Sequence, residues 1–172
     1  LIAMPASLVH NWAAEIEKFL PTAKVFVYYG AARISAEQFG EYDFILISYG
    51  LLRNDIALFE QYEFLYTVLD ESQAIKNSTS KLYNAVLKLN TRFRLSLTGT
   101  PLENSLNDLW SQMNFLNHNM LGNNNFFKNT FLKPIEQNSE TERDLLRQMI
   151  APFILRRDKR EVAPDLPPVT EQ

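Results

Sequence analysis

Segments typical of strands and of helices alternate over residues 1–116, and this alternation limits the folds open to the chain. The runs DFILISYG (43–50) and FLYTVL (64–69) are rich in β-branched and aromatic residues, which is typical of buried strands. The stretch SKLYNAVLKLN (80–90) instead repeats apolar residues at helical spacing. Because strands joined through helices form parallel sheets with right-handed crossovers, we predict an α/β fold built on a parallel sheet.

The rest of the chain lacks this alternation. Residues 118–152 are rich in asparagine, and their apolar spacing predicts two helices, at about 124–132 and about 139–150. Residues 153–172 end in prolines and charges, which is typical of a linker. We therefore predict a sheet domain over 1–117, a small helical extension over 118–152 and a linker segment beyond it.

Composition excludes several classes of protein. The chain contains no cysteine, so disulfides and thiolate metal sites are excluded, and we expect a cytoplasmic protein. No apolar run is long enough to span a bilayer, so we expect no membrane partner. The net charge of −3 offers no general attraction to nucleic acid, so any phosphate contact must be local. Arg92 with Arg94 could supply one, as could the basic run 156–160, although such a run is more often a solvated face.

Two acids, Asp70 and Glu71, follow directly after the strand-like run FLYTVL. Ligands of open α/β sheets bind at the carboxyl ends of strands, where this pair falls. In ATP hydrolysis one carboxylate at such a position holds Mg²⁺, and a neighbouring acid can orient the attacking water. The same pair could simply end a strand in a solvated turn, and the pair alone favours this simpler interpretation.

A second motif, SLTGTPLEN (96–104), also lies at the end of a predicted strand. Thr98 and Thr100 contribute hydroxyls, and Gly99 allows the backbone to approach a ligand closely. Thr100 with the following proline and glutamate also fits a helix cap and capping box. A capping role does not require Thr98 and Gly99, whereas a phosphate-binding surface would use both. Both interpretations stay open at this point.

The stretch MPASLVHNW (4–12) has the same form of a strand end followed by a helix start. Ser7 could bind a backbone phosphate, or it could only cap the helix while Trp12 packs in the core. The two interpretations are equally supported by the residues alone. His10 and His118 have no partner at metal-ligand spacing, so we assign them no chemistry.

Taken in order, five segments resemble the Swi/Snf family of superfamily-two, helicase-like ATPases, which translocate on double-stranded DNA. The most specific parts are DESQ followed by AIKN, and TGTP followed by LEN and LW. The resemblance implies a three-layer RecA-like lobe of the P-loop NTPase type, with ATP and Mg²⁺ as cofactors. The five segments are MPASLVHNWAAEIEKF, ISYGLLRND, VLDESQAIKN, RLSLTGTPLENSLNDLWSQMNFL and PFILRRDKREVAPDLPP.

The resemblance also implies roles for single residues at the nucleotide site. Asp70 corresponds to the acid that coordinates Mg²⁺, and Glu71 to the residue that activates water. Gln73 corresponds to the position that links the nucleotide site to the third motif. That motif consists of Thr98, Gly99 and Thr100.

For DNA, the resemblance implies contacts with the phosphate backbone of the duplex, which provide grip without sequence specificity. Ser7 lies in the first segment that tracks a DNA strand, and Ser48 with Tyr49 lies in the second. Lys76 and Asn104 are weaker candidates for the same surface. Arg156 and Arg157 match the segment that leads toward a second RecA-like lobe, which we expect as a partner from the same protein.

One departure from the family pattern bears on activity. A phosphate-binding loop needs G-x-x-x-x-G-K-[ST], and none of the five glycines is followed by lysine. We therefore expect a longer protein, with that loop and its strand before Leu1 and the arginine finger after Gln172. The chain alone should be catalytically incompetent. We also expect an exposed sheet edge or apolar face that pairs in crystals without physiological meaning, and a nucleoid-associated protein of bacterial origin.

Two alternatives remain open. Another superfamily-two motor, such as a DNA or RNA helicase, would share the nucleotide chemistry, although RNA helicases of the DEAD type should show Asp at position 73. A module that has lost catalysis and only docks DNA or protein would lack the phosphate-binding loop altogether.

Overall fold

The computed structural model describes residues 1–30, 33–99 and 106–156, and these form two compact units. The first is Leu1–Asn124, and the second begins at Asn125. Within the described residues, one five-stranded sheet has all its neighbouring strands parallel, in the order β2-β3-β1-β4-β5. The predicted α/β fold with a parallel sheet is therefore confirmed. The strands are β1 (Ile2–Met4), β2 (Val25–Tyr28), β3 (Phe44–Ser48), β4 (Phe64–Leu69) and β5 (Thr91–Ser96).

Helices follow the strands at the positions that the apolar spacing predicts. The helix predicted to start at Ser7 begins later, because Ala6–Leu8 forms a 3₁₀ turn and no side chain caps the helix that follows. The helices of the first unit are α1 (Val9–Phe19), α2 (Tyr49–Asn54), α3 (Ile56–Phe59), α4 (Lys81–Leu87) and α5 (Leu106–Leu116), with 3₁₀ turns at Glu37–Glu41 and Ser72–Ile75.

Helix α1 covers one face of the sheet. Val9 and Ile16 lie two helical turns apart, and both are buried against side chains from β1 and β3. Burying an aliphatic side chain of this size stabilises a fold by about 1.5–3 kcal/mol. This cluster fixes α1 against the strands whose carboxyl ends point toward the candidate site. Its buried members are Ile2, Met4, Val9, Ile16 and Leu46.

Five aromatic residues form a second packed group, which we name the Phe59 cluster: Tyr28, Phe39, Phe59, Tyr62 and Phe64. The ring centroid of Phe59 lies 5.0 Å from that of Tyr28 and 4.9 Å from that of Phe39. Edge-to-face and tilted pairs at such distances add to the stability that burial already provides. The cluster joins β2, α3 and the start of β4.

Strands β4 and β5 were predicted to be buried, and this is correct for only part of their surface. Tyr66, Phe93 and Leu95 are each about half exposed, at 51%, 52% and 46%. The rings of Tyr66 and Phe93 lie 5.0 Å apart and shield each other in part. These apolar side chains lie on a sheet face that is partly open to solvent, whereas β3 is nearly fully buried.

The second unit is helical, as the sequence predicts. Phe127, Phe131 and Leu146 are buried, and the first two rings lie 5.6 Å apart. Within the described part of the chain, no helix has the length and apolar character to cross a bilayer. The boundaries of the predicted domains stay predictions. The elements are α6 (Asn124–Phe127), a π-helical turn (Lys128–Leu132), α7 (Lys133–Glu136), α8 (Glu140–Ile150) and a 3₁₀ turn (Ala151–Phe153).

Candidate active site

The parallel pairing of β4 with β5 brings the two polar motifs together. Leu69 pairs with Ser96, and the Leu97 N–H donates to the Leu69 carbonyl at 2.8 Å. One step further on, the Ser72 N–H donates to the Leu97 carbonyl at 2.9 Å. The acids after β4 and the Thr98-Gly99 segment after β5 therefore emerge side by side from neighbouring strands.

The carboxylate of Asp70 is held by two hydrogen bonds. Its Oδ1 accepts the backbone N–H of Glu71 at 2.9 Å, and its Oδ2 accepts the indole N–H of Trp12 at 2.8 Å. Within the described residues, neither Asp70 nor Glu71 forms an ion pair. Asp70 is half-buried, so its carboxylate keeps acceptor capacity for a ligand at the edge of the sheet.

Glu71 has a left-handed backbone, with φ 51° and ψ 51°. This conformation is uncommon for a residue with a Cβ and costs about 1–3 kcal/mol, and such residues concentrate at functional sites. This turn changes the direction of the chain, and the side chains of Asp70 and Glu71 contact different partners, Trp12 and Gln73. A plain strand end does not require this strain, and the roles predicted for the pair stay predictions.

A chain of hydrogen bonds links Glu71 to the second motif. The side-chain amide of Gln73 donates to Glu71 Oε2 at 2.7 Å, and the hydroxyl of Thr98 donates to Gln73 Oε1 at 3.1 Å. Gln73 therefore bridges the acid after β4 and the threonine after β5. This is the arrangement that the resemblance implies for position 73.

The Ser72–Ile75 turn, which contains Gln73, is held by a buried side chain of α5. Ser72 is fully buried, and its hydroxyl donates to Gln112 Oε1 of α5 at 3.2 Å. Asn114 of the same helix donates to the hydroxyl of Tyr83 on α4 at 2.7 Å. The first contact fixes the Ser72–Ile75 turn to α5, and the second joins α5 to α4.

Tyr49 also contacts the Asp70 backbone. Its hydroxyl donates to the Asp70 carbonyl at 2.6 Å, and the residue is 8% exposed. Burial raises the pKa of Tyr49 well above its usual value, and the nearby carboxylates of Asp70 and Glu71 raise it further. The hydroxyl therefore remains a donor throughout the physiological pH range.

The remaining nucleotide-site candidates are only partly described. Gly99 is exposed, and a Cβ added there would meet no atom of the described residues within 4 Å. Packing against the described part of the chain therefore does not require glycine at this position. Thr100 lies outside the described residues, as do Asn104 and Arg157, so their predicted roles stay predictions.

The candidate DNA contacts divide into exposed and inward-facing residues. Ser7 and Lys76 are exposed. Ser48 is buried, and its hydroxyl accepts the Leu51 N–H at 3.4 Å as the cap of α2. The Tyr49 hydroxyl donates to the Asp70 carbonyl, and the DNA contacts predicted for Ser48 and Tyr49 stay predictions.

The acids at this site suit Mg²⁺ better than a metal ion whose ligands all come from protein side chains. Among the described residues, no group of three or more His, Asp or Glu side chains could hold a metal ion. Mg²⁺ commonly binds through one or two carboxylates, with waters and substrate phosphates completing its octahedral shell. Asp70, with a fixed and half-buried carboxylate, fits this role.

The sequence analysis considered Trp12 as a core residue in one of two interpretations and missed its contact with Asp70. The indole ring does pack against the cluster under α1, but its N–H reaches across 58 residues of sequence to the carboxylate. A partly buried tryptophan usually finds an acceptor for its N–H, so a partner was to be expected. The sequence contains no signal that identifies which acceptor it finds.

The parallel α/β sheet, with two acids at one strand end and a glutamine that links one of them to a threonine at the next, has the RecA-like architecture that the resemblance implies. The chain belongs to the SNF2-related domain family, whose model matches residues 1–172.

Three similar proteins come from different organisms. TATA-binding protein-associated factor MOT1 of Saccharomyces cerevisiae is 39% identical over 98% of this chain and 10% of its own length. An uncharacterized ATP-dependent helicase of Mycoplasma pneumoniae is 41% identical over 97% of this chain and 16% of its own length. The Sulfolobus solfataricus SWI2/SNF2 ATPase core in complex with dsDNA aligns with a TM-score of 0.86 and 39% identity, over 96% of this chain and 35% of that chain. The chain thus spans a small part of the relatives it matches.

Proposed function

We propose that the intact protein containing this chain is an ATP-dependent translocase on double-stranded DNA, of the kind that remodels protein–DNA complexes. This chain supplies part of its first RecA-like lobe. The observation that carries the proposal is the hydrogen-bonded series Thr98, Gln73 and Glu71 beside the fixed carboxylate of Asp70. A merely structural strand end requires neither the bridge nor the strained backbone of Glu71.

The residues of the site divide the work of hydrolysis. Asp70 would hold Mg²⁺, which when bound neutralises charge on the phosphates of ATP. Glu71 orients and polarises the attacking water through its carboxylate. Gln73 holds Glu71 in place and connects it to Thr98, so that a change at the end of β5 reaches the acid directly.

DNA contact is proposed for the carboxyl edge of the same sheet. Ser7 and Lys76 expose polar groups there, and the similar SWI2/SNF2 core was solved in complex with dsDNA. Contacts of this type go to phosphates and carry no base specificity, which suits a protein that moves along DNA. Within a cell, the protein would act on the nucleoid or its equivalent.

The chain alone lacks the sequence of a phosphate-binding loop. Because such a loop supplies backbone N–H groups and a lysine to the phosphates, we expect negligible ATP hydrolysis by these residues alone. The proposed activity therefore belongs to the intact protein.

The proposal is tested by Glu71→Gln in the intact protein. Loss of the water-activating carboxylate should lower the DNA-stimulated kcat by about 10²–10⁴-fold, whereas Mg·ATP binding should persist. Glu63→Gln is a matched control, because Glu63 is exposed at the opposite end of β4, where it pairs with Arg92. Unchanged ATPase activity in Glu71→Gln would refute the assigned role. Strand-displacement assays then separate a translocase, which moves without unwinding, from a helicase.

A further inference from the structure

The contact between Trp12 and Asp70 joins a helix that packs on the sheet to an acid of the candidate site. Trp12 lies in the first turns of α1, and its ring already packs against the cluster under that helix. The other tryptophan, Trp110, satisfies its N–H with an ordinary backbone acceptor, the Gly122 carbonyl at 3.1 Å. Trp12 instead donates to a carboxylate at a candidate metal site, at 2.8 Å.

The two hydrogen bonds on Asp70 fix the rotation of its carboxylate. Glu71 N–H binds Oδ1 and Trp12 N–H binds Oδ2, so the carboxylate plane is set from both sides. Each carboxylate oxygen has about two lone-pair sites, so each keeps one for a ligand. Among the described residues, loss of the Trp12 donor would leave the bond from the Glu71 backbone as the remaining hydrogen bond on this carboxylate.

We propose that Trp12 is a positioning residue that orients the Asp70 carboxylate for the divalent cation. The proposal rests on the function proposed above, in which Asp70 holds Mg²⁺. It assigns to α1 a part in the nucleotide site that the family resemblance did not assign to it. Hydrogen-bond partners of metal-ligating carboxylates commonly contribute a factor of about 10–100 in metal affinity or activity.

The first test is Trp12→Phe in the intact protein, which removes the N–H donor and keeps an aromatic ring. Trp110→Phe is the matched control, since it removes an indole hydrogen bond of similar length elsewhere in the same unit. Mn²⁺ binding is followed by electron paramagnetic resonance in the presence of a non-hydrolysable ATP analogue. We expect Mn²⁺ to bind about 10–100-fold more weakly to Trp12→Phe and with unchanged affinity to Trp110→Phe.

A second variant guards against a folding defect. β-(3-Benzothienyl)alanine at position 12 keeps the shape of the indole and replaces its N–H by sulfur. It should show the same loss of Mn²⁺ affinity while retaining the melting temperature of the unmodified protein. Wild-type Mn²⁺ affinity in this protein would overturn the proposal, whatever Trp12→Phe does.

The Mg²⁺ dependence of ATP hydrolysis supplies a further readout. A positioning role predicts that the Mg²⁺ concentration for half-maximal activity rises about 10–100-fold, with kcat largely restored at saturating Mg²⁺. A purely structural role would lower kcat at every Mg²⁺ concentration and leave the half-maximal concentration unchanged, which would overturn the proposal. Absence of Mg²⁺-dependent ATPase activity in the wild-type protein would instead refute the proposed function.

Discussion

The candidate active site and the Phe59 cluster lie on the same sheet but are built from opposite kinds of contact. At the site, single hydrogen bonds join single partners: Trp12 to Asp70, Gln73 to Glu71 and Thr98 to Gln73. In the Phe59 cluster, each ring packs against several others, and Phe39 and Phe59 are nearly fully buried.

The difference teaches where stability and chemistry reside in this lobe. Directional bonds between half-buried groups set the orientation of reactive atoms but contribute little net stability, because water competes for them. Ring packing contributes much more stability and tolerates small displacements. Substitutions in the Phe59 cluster should therefore lower stability, whereas substitutions at the candidate active site should lower activity.

Phe59→Ala should have the largest effect of the substitutions that test this comparison. Removal of a fully buried ring should lower the free energy of unfolding by about 3–5 kcal/mol, through lost burial and the cavity that remains. Chemical denaturation of the purified protein measures this loss. Phe19→Ala is the control, because Phe19 is 69% exposed and should change stability by less than about 0.5 kcal/mol. Equal losses in the two variants would contradict the role of the cluster.

Gln73→Ala should show the reverse pattern. The variant removes the donor to Glu71 and the acceptor for Thr98, which should cost about 1.5–3 kcal/mol of transition-state stabilisation, or about 10–100-fold in kcat. Its melting temperature should stay close to that of the wild type. Gln61→Ala is a matched control, since the Gln61 side chain is exposed and donates only to the Ala57 carbonyl. A normal kcat in Gln73→Ala would show that the bridge does not position Glu71.

Tyr28 belongs to the Phe59 cluster and also donates a hydrogen bond to Asp55. Its substitution should cause the smallest free-energy change of the three, and that change should depend on pH. Burial, followed by the hydrogen bond to Asp55 at 2.9 Å, raises the pKa of Tyr28 to about 12. A raised tyrosine pKa stabilises the fold fully below the unfolded pKa of about 10 and loses this contribution as the pH rises toward 12.

Comparison of Tyr28→Phe with the wild type measures this contribution. The stability difference between the two, about 0.5–1.5 kcal/mol at pH 8, should shrink between about pH 10 and pH 12. Thermal unfolding across that range records it. The control is Tyr29→Phe, because Tyr29 is half exposed and its substitution should change stability at pH 8 by less than about 0.5 kcal/mol. A constant difference between Tyr28→Phe and the wild type would show that the hydroxyl does not titrate with folding.

Several features of the site could be predicted from the sequence because parallel sheets impose them. Once β4 and β5 are adjacent and parallel, the residues after Leu69 and after Ser96 must emerge together, and this required only the alternation of strands and helices. The bridge through Gln73 followed from the family resemblance. Its actual bonds to Glu71 and Thr98 required coordinates.

Other features depended on contacts that have no local signature. Ser48 was predicted to contact DNA, and the structure shows in addition that its hydroxyl caps α2, since that helix begins at Tyr49, within the run 43–50 that was predicted to be a strand. The apolar residues of β4 and β5 suggested full burial, although one face is open to solvent. Apolar character reports a tendency toward burial but does not identify the element that covers each face.

The sequence by itself determined the class of this protein: the order of strands and helices, the parallel sheet, and the two acids and the Thr-Gly pair at its carboxyl edge. Spacing and side-chain chemistry are local properties, so these features can be read along the chain. Only the tertiary structure decided that Trp12 holds Asp70, that Tyr49 contacts its carbonyl and that Glu71 adopts a left-handed backbone. Each of these features depends on how segments that are distant in sequence pack against one another. That packing is set by the free energy of the whole fold, so it cannot be recognised in a local stretch of sequence.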